Sequence, residues 1–416
     1  MNKEKVIIDP VQGFIKIPDS RVYDIFMHPY VQRLSRIRQL GLSFLVYPGA
    51  THTRFLHSIG AMHLALHALT ILKERGVDIS VKEFDALAVA VLLHDIGHGP
   101  FSHVLEHTLV KNITHEDISL LMMKQIQVYL KQHSNDEVVE VMSDAIAVFT
   151  NTYNRPFFHQ LVSSQLDVDR LDYLQRDAFF CGVQEGTVGC ERIISMLGIE
   201  KDNIVFDAKA TYSIEKFLLA RRFMYLQVYL HKTSVAAEQM LIKILQRAKW
   251  LAQSNVDVPC SPSLRHFIYN DLADKEFYLD SEALRHYALL DDNDILVAVK
   301  TWSQHDDKIL RILSHGFINR YLFKALALKH PDEPETIKEL NQLYAQKLGI
   351  RADEAHYFYS DVRLSADAYS AKLPPIMIRH KDGTLQELSD ESEIFNINTL
   401  THHTNQWYRC AFSLID

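Results

Sequence analysis

One segment constrains this chain more than any other: an almost entirely apolar stretch that runs directly into a histidine and an aspartate. Residues 84–93 read FDALAVAVLL, and the chain continues with His94, Asp95, Ile96, Gly97 and His98. Apolar residues around nearly the whole circumference predict a buried core helix. A carboxylate at the end of such a helix loses on the order of several kcal/mol of hydration unless an opposite charge meets it. The segment therefore predicts a core helix that brings Asp95 to a divalent cation.

Most other segments repeat apolar residues at three- and four-residue spacing, which is typical of α-helices. We expect helices at about residues 23–39, 57–73, 81–95, 115–129, 164–177, 214–252 and 335–348. A strand pair is expected near Gly13, a strand at 356–364, and a hairpin at 376–385 that turns at 381–383. A proline-rich break at 330–334 separates a predicted core (1–330) from a predicted C-terminal lobe (331–416). The predicted fold is mostly α: a helical core with a small N-terminal strand pair and an α+β C-terminal lobe.

Composition excludes several classes of protein. The formal net charge is −8, which argues against a broad nucleic-acid surface. The four cysteines are scattered, and no apolar run approaches the ~20 residues that span a bilayer. We therefore expect a cytoplasmic protein without a membrane segment. The chain is acid-rich between roughly residues 271 and 307, most densely at 291–294, and this region is interpreted as a solvated face.

Histidines concentrate where chemistry is expected: nine of the 22 lie between His52 and His115. The adjacent His94 and Asp95 can both reach one ion beyond the helix end. His57, on a neighbouring helix, is the natural third ligand, and the fourth is expected from the segment 167–177, which includes Asp169. Imidazole and carboxylate together suit Fe, Mn, Zn or Co better than Mg or Ca.

Asp169 opens a polar helical stripe that continues with Arg170, Tyr173 and Asp177 at spacings i+1, i+4 and i+8. A carboxylate, a cation, a phenol and a second carboxylate would share one surface. By itself, the stripe also fits an ion-paired solvent face.

The ordered motifs resemble those of the HD-domain deoxynucleoside triphosphate triphosphohydrolases. The resemblance runs from about Lys5 to at least Lys232 and is carried by the segments 39–41 (QLG), 47–60 (YPGATHTRFLHSIG), 93–103 (LHDIGHGPFSH), 114–116 (THE) and 166–177. It implies that the metal ligands are His57, His94, Asp95 and Asp169, holding Fe, Mn or Zn, with Mg²⁺ on the substrate phosphates left open.

The same resemblance implies the roles around the substrate. His98, His103 and His115 would surround the scissile phosphate, with Glu106 orienting His103, the leading candidate for general acid or nucleophile. Phosphates would be held by Arg54, Arg170 and Arg221. Tyr173 would face the phosphates or the sugar, and Tyr229 would lie where a ribose 2′-hydroxyl would clash. The 3′-hydroxyl would bind Gln39, beside Leu40, and Asp177.

The implied reaction converts a dNTP to a deoxynucleoside and inorganic triphosphate, in a dimeric or tetrameric assembly. Regulated members of this family recognise an activating guanine nucleotide with an acid and an arginine, where this chain has Met27 and Ser35, although Gln32 and Arg33 are retained nearby. We therefore expect either unregulated activity or a different effector.

Two alternatives remain at this stage. Another HD-type nucleotidase or phosphodiesterase would keep the four ligands but would not need three arginines together. A nucleotide-sensing HD protein without catalysis is the second alternative, and the complete ligand and histidine sets argue against it.

Overall fold

The computed structural model of the chain describes residues 5–18, 20–101, 104, 108–330, 333–364, 373–392 and 406–414. Within these ranges the helices are α1 Ser20–Phe26, α2 Pro29–Arg33, α3 Arg54–Glu74, α4 Val81–Leu93, α5 His115–His133, α6 Asp136–Phe149, α7 Pro156–Val162, α8 Val168–Cys181, α9 Cys190–Ser195, α10 Thr211–Met224, α11 Lys232–Gln253, α12 Pro262–Tyr269, α13 Glu282–Leu289, α14 Asp292–Trp302, α15 Lys308–Ile318, α16 Pro334–Leu348 and α17 Leu388–Glu391. The strands are β1 Lys5–Asp9, β2 Gly13–Ile17, β3 Val110–Lys111, β4 Leu197–Glu200, β5 Asn203–Asp207, β6 Leu272–Ala273, β7 Lys324–Leu328, β8 Tyr359–Leu364, β9 Met377–Arg379, β10 Leu385–Glu387 and β11 Gln406–Ala411. The predicted fold class is confirmed.

Helix α4 lies at the centre of the fold, packed against α3 and α6. Ser80 and Glu83 form a capping box at its start, and every residue from Asp85 to Leu93 is buried. The helix ends at Leu93, and Asp95 lies in the turn that follows. The predicted core helix is therefore confirmed.

Helix α3 packs against both α4 and α8. It is the one helix in the described ranges long and apolar enough to span a bilayer, but 61% of its most apolar stretch is buried inside the protein. Burial of this kind is typical of a core helix.

Three helix predictions were wrong in their extent, each because of a local cap or break. The helix expected at 23–39 is interrupted at Pro29, which begins α2 behind the cap of His28. The helix expected from residue 164 begins at Val168, since the Asp167 side chain accepts the Arg170 N–H as its N-cap. The single helix expected at 214–252 is divided by a π-helical turn, Tyr225–Tyr229.

The strands form four small sheets. β1 and β2 pair antiparallel, as expected, and so do β9 and β10 of the predicted hairpin. The strand expected at 356–364 is shorter, because a 3₁₀ helix, Ala352–Phe358, precedes β8. β7 pairs with β11, and β5 pairs with β9, so strands from both sides of residue 330 share sheets. The division into core and lobe stays a prediction.

The acidic run at 291–294 is only partly solvated, which corrects the expectation. Asp291 and Asp292 are 8% and 3% exposed. Asp291 caps α14 and binds Nε of Arg36 at 2.6 Å, while Asp292 accepts the backbone N–H of Arg38 at 3.0 Å. These contacts fix the segment immediately before Gln39.

Candidate active site

Four side chains from three helices converge on one point. Nε2 of His57, on α3, lies 3.1 Å from Oδ1 of Asp169, in the first turn of α8, and 3.4 Å from Nε2 of His94. Asp95 places one carboxylate oxygen 3.8 Å from His57 Nε2 and the other 3.4 Å from His94 Nε2. Ligands about 2.0–2.2 Å from a tetrahedral ion lie about 3.3–3.6 Å apart. His57, His94 and Asp95 thus each place one donor atom within 4.8 Å of the others, as one divalent ion requires, and Oδ1 of Asp169 lies 3.1 Å from His57 Nε2 and 3.5 Å from His94 Nε2.

Hydrogen bonds on the far sides of the two imidazoles leave their Nε2 atoms for that ion. Nδ1 of His94 donates to the carbonyl of Val91 at 2.6 Å, and Nδ1 of His57 lies 3.0 Å from Oδ2 of Asp172. Burial lowers the pKa of His57, but Asp169 and Asp172 outweigh it and raise that pKa to about 10. An ion must therefore displace a proton here, which makes binding pH-dependent.

Asp172 connects this centre to the N-terminal strand pair. Arg176 Nε binds Oδ2 of Asp172 at 2.7 Å, and its Nη1 binds Oδ2 of Asp9 at 2.7 Å. All three side chains are fully buried. Sequence reasoning missed this network; the only available signal was the i, i+4 spacing of Asp172 and Arg176. The strand pair thus anchors the helix that carries Asp169.

Gly60 allows the same network to form. It follows His57 by three residues on α3, and a Cβ added there would lie 2.1 Å from Nη2 of Arg176 and 2.2 Å from Oδ1 of Asp172. No side chain fits at this position without displacing the buried ion pair.

The predicted phosphate-side histidines are only partly within the described residues. His98 stacks on His115 with ring centroids 3.9 Å apart, and its Nε2 lies 3.3 Å from Oδ1 of Asp95. Burial, then the charge of Arg54, lowers the pKa of His98 to about 3, against the attraction of Asp95. His98 is therefore neutral near pH 7. His103 and Glu106 lie outside the described residues, and their roles stay predictions.

The three predicted phosphate-binding arginines differ in their surroundings. Arg54 Nη1 contacts Oδ2 of Asp95 at 2.5 Å, and Arg170 pairs with Asp167. Arg221 is 6% exposed, and its Nε and Nη1 atoms have no hydrogen-bond partner among the described residues. Its guanidinium lies 5.9 Å from the ring centre of Tyr225. A buried cation without acceptors is costly, and ligand oxygens would remove that cost.

Tyr173, Tyr229 and Asp177 continue from the ligand cluster toward Arg221. The Tyr173 ring lies 6.4 Å from the His57 ring and 6.1 Å from that of Tyr229. Tyr229 donates to Oδ2 of Asp177 at 2.8 Å, and Nε2 of His52 lies 2.8 Å from Oδ1 of the same carboxylate. Sequence reasoning assigned no role to His52, although it belongs to the 47–60 motif.

Gln39 and Leu40 lie between the Arg38–Thr53 bridge and the core. Oε1 of Gln39 is buried and has no hydrogen-bond partner among the described residues, which leaves it able to accept from a ligand hydroxyl. Leu40 packs against the hydrophobic core.

A cleft of about 520 Å³ opens beside the four-residue cluster. Its walls include His94, Asp95, Asp169 and His115, together with His159, which was not predicted. Nδ1 of His159 lies 2.9 Å from the carbonyl of Val148, so Nε2 is the acceptor nitrogen of the neutral ring.

Arg33 lies between Met27 and Ser35, two positions where this chain differs from the regulated family members. It does not offer an exposed cation there. That side chain is 1% exposed and donates to the carbonyls of Leu290, Ile96 and His98. Arg33 is therefore structural, while Met27 is exposed.

Residues 54–177 match the HD domain, and residues 188–258 match the HD associated region. The chain is 32% identical over 403 residues to the uncharacterized protein YwfO of Bacillus subtilis (strain 168), covering 95% of this chain and 89% of that protein.

A crystal structure of a phosphohydrolase from Bacteroides thetaiotaomicron superposes with a TM-score of 0.93 at 48% identity, covering 98% of this chain and 100% of that one. A protein of Dictyostelium discoideum named deoxynucleoside triphosphate triphosphohydrolase SAMHD1 homolog is 31% identical over 251 residues. That similarity covers 57% of this chain and 48% of that protein, so the chain spans about half the length of this relative.

Proposed function

The chain belongs to the HD-domain phosphohydrolase family, and from this premise we propose that it hydrolyses deoxynucleoside triphosphates to deoxynucleoside and inorganic triphosphate. The name of the Dictyostelium relative supports the substrate class. Members of this phosphohydrolase family need not share a substrate, so membership alone does not identify the substrate of this chain.

The observation that carries the proposal is the buried guanidinium of Arg221, with two nitrogens that lack acceptors. Arg221 and Arg170 both lie close enough to Tyr173 to lower its pKa, although burial has the largest effect and raises it. Arg54 contacts Asp95 on the other side of the same centre. Three cations around one site favour a ligand with several phosphate groups over a monophosphate or a cyclic phosphodiester.

The metal would be held by His57, His94, Asp95 and Asp169, with Fe, Mn or Zn as the ions their donor atoms suit. When bound, it would supply Lewis-acid stabilisation of the charge that develops on the α-phosphoryl group. Asp172 and the Val91 carbonyl hold the two imidazoles in the tautomer that such an ion requires.

In the proposed reaction, water adds to the α-phosphorus, the bond to O5′ breaks, and O5′ takes up a proton. His98 is neutral near pH 7, so it would act as a hydrogen-bonding group and not as the proton donor. The proton donor would be His115 or His103. The arginines would balance the charge of the triphosphate group, including the oxygens of the α-phosphoryl group that is attacked.

The sugar would lie between Gln39, Asp177 and Tyr229. Gln39 Oε1 and the Asp177 carboxylate offer acceptors for a 3′-hydroxyl. The Tyr229 ring, held by its bond to Asp177, would fill the space next to C2′. A ribose 2′-hydroxyl would then meet an aromatic ring without a hydrogen-bond partner.

A substrate panel tests this proposal. The purified chain, loaded with Mn²⁺ or Fe²⁺, is offered each dNTP, NTP, dNMP and cyclic nucleotide, with Asp95→Ala as the inactive control. Turnover of dNTPs that greatly exceeds that of the other classes supports the proposal. Preferred hydrolysis of monophosphates or cyclic nucleotides would show a different HD phosphohydrolase.

A further inference from the structure

We propose that His266, Glu282 and His286 form a second metal site, which binds a divalent transition ion of the Zn²⁺ type on the hairpin of α12 and α13. His266 lies on α12, while Glu282 and His286 lie one turn apart on α13. This cluster shares no residue with the four ligands proposed for the phosphohydrolase centre.

The donor atoms already lie near the spacing that one ion requires. Oε1 of Glu282 is 3.9 Å from Nδ1 of His266 and 3.7 Å from Nε2 of His286. One donor atom from each of the three residues lies within 4.8 Å of the others. Tetrahedral zinc ligands lie about 3.3–3.6 Å apart, so these two separations need to shorten only slightly to accommodate one ion. Two nitrogens and one carboxylate oxygen leave a fourth position for water or another ligand.

Neither imidazole has a hydrogen bond in the part of the chain that the structure describes. The separations from Glu282 are too long for one. Nε2 of His266 and Nδ1 of His286 are buried without partners. Imidazoles in this condition are unusual, because buried polar nitrogens are nearly always satisfied. An ion beside Glu282 would bind Nδ1 of His266 and Nε2 of His286, and so give each ring one strong bond on the side opposite these buried nitrogens.

The two rings stack face to face, with centroids 4.4 Å apart and planes inclined by 17°. The lone pairs of parallel rings do not meet at one point, so one ring must turn before both nitrogens can bind the same ion. Glu282 is exposed, which gives an ion a route from solvent.

The cluster is joined to the phosphohydrolase centre through one helix. Tyr287, the residue after His286, donates to the carbonyl of Gly97 at 2.9 Å. Gly97 immediately precedes His98, and Arg33 lies beneath the Tyr287 ring at 5.4 Å while donating to the His98 carbonyl. An ion on α13 would therefore stiffen the support of the loop that carries His98.

Metal stoichiometry of the full chain tests the proposal. Chelator-treated protein is loaded with Zn²⁺, desalted and measured by mass spectrometry, and affinities are obtained by competition with a chromophoric chelator. We expect two ions per chain in the wild type and one in His286→Phe or His266→Phe, which keep a stacked ring but remove the nitrogens. The matched control is His315→Phe, on an exposed position of α15, and should retain two.

Three further variants keep the result decisive. Glu282→Gln changes an exposed side chain, so it should fold normally and bind the second ion at least about tenfold more weakly. Asp95→Ala should lose the other ion and still show a Zn²⁺-dependent rise in melting temperature, which Asp95→Ala/His286→Phe should lack. Unchanged Zn²⁺ stoichiometry and affinity in Glu282→Gln and in the histidine variants would overturn the proposal. Loss of dNTP hydrolysis alone would not bear on it.

Discussion

The carboxylate of Asp172 lies 3.0 Å from Nδ1 of His57 and so orients the imidazole at the centre of the candidate metal site. The same carboxylate forms a fully buried ion pair with Arg176, at 2.7 Å. One side chain thus couples the orientation of a proposed ligand to the packing of α3 against α8. This relationship makes Asp172 a positioning residue for the metal.

Replacing Asp172 with Asn should weaken Mn²⁺ or Zn²⁺ binding at the four-residue site by about 10- to 100-fold, because the charge that holds His57 is lost. A chelator competition assay on folded protein measures the change. Gln12→Ala is the control, since it removes a hydrogen bond of 2.9 Å to Asp172 and leaves its charge. Equal metal affinity in Asp172→Asn and wild type would contradict the assigned role.

Arg221→Met should lower kcat/KM for dNTPs by about 10- to 100-fold, the usual worth of one charged hydrogen bond. The free energy of unfolding should stay the same or rise, since a buried cation without acceptors at Nε and Nη1 is removed. Steady-state kinetics and urea unfolding provide the two readouts. The neighbouring Arg222→Met should affect dNTP hydrolysis little; an equal loss in both variants would mean a general disturbance of α10.

Tyr229→Ala and Tyr229→Phe form a matched pair for sugar discrimination. Tyr229→Ala opens the space beside C2′, so the ratio of kcat/KM for dATP over ATP should fall by about tenfold or more. Tyr229→Phe loses only the hydrogen bond to Asp177 and should keep most of the discrimination. Competition between dATP and ATP measures the ratio. If both variants discriminate as the wild type does, the ring is not what excludes ribonucleotides.

Asp292 should give the stability of the chain a measurable pH dependence. Burial raises the pKa of Asp292 to about 6, against the N–H and charge of Arg38. The folded state therefore holds this proton more tightly than the unfolded state, where an Asp titrates near about 3.9. The stabilising contribution is complete below that pH and is lost as the pH rises to about 6.

In Asp292→Asn this loss is absent, since the amide keeps an acceptor for the Arg38 N–H and carries no charge. At pH 7.5 its free energy of unfolding should exceed that of the wild type by on the order of 1–3 kcal/mol. Urea unfolding at pH 4.5 and 7.5 checks the difference, with the exposed Asp306→Asn as control. A variant less stable than the wild type at pH 7.5 would show that the charged form is the favoured one.

The sequence predicts local features of this fold better than distant ones. Helix α4 and the positions of His94 and Asp95 follow from periodicity alone, because both depend on neighbouring residues. The ion pair of Asp9 with Arg176 joins residues far apart in the chain, and no spacing rule indicates it. The π-helical turn at Tyr225–Tyr229 likewise depends on tertiary packing, which overrides a continuous helical pattern.

In the candidate site, too, the sequence predicts local features but not the contacts between residues that are distant in the chain. The motifs indicated the four converging side chains. The sequence does not show why residue 60 must be Gly60, because the reason is the buried pair of Asp172 and Arg176, which lies against α3 only in the folded chain. The acidic pair Asp291 and Asp292 was misinterpreted as solvated, since its partners Arg36 and Arg38 come from the other end of the core. Charge runs therefore reveal little until their partners are known.

The most direct measurement of the central claim is the phosphorus NMR spectrum of the products formed from dATP by the metal-loaded chain. We predict inorganic triphosphate and deoxyadenosine in equal amounts, with neither product formed by Asp95→Ala. Release of orthophosphate or pyrophosphate as the primary product, with dADP or dAMP remaining, would contradict attack at the α-phosphorus with loss of O5′ and therefore the proposed function.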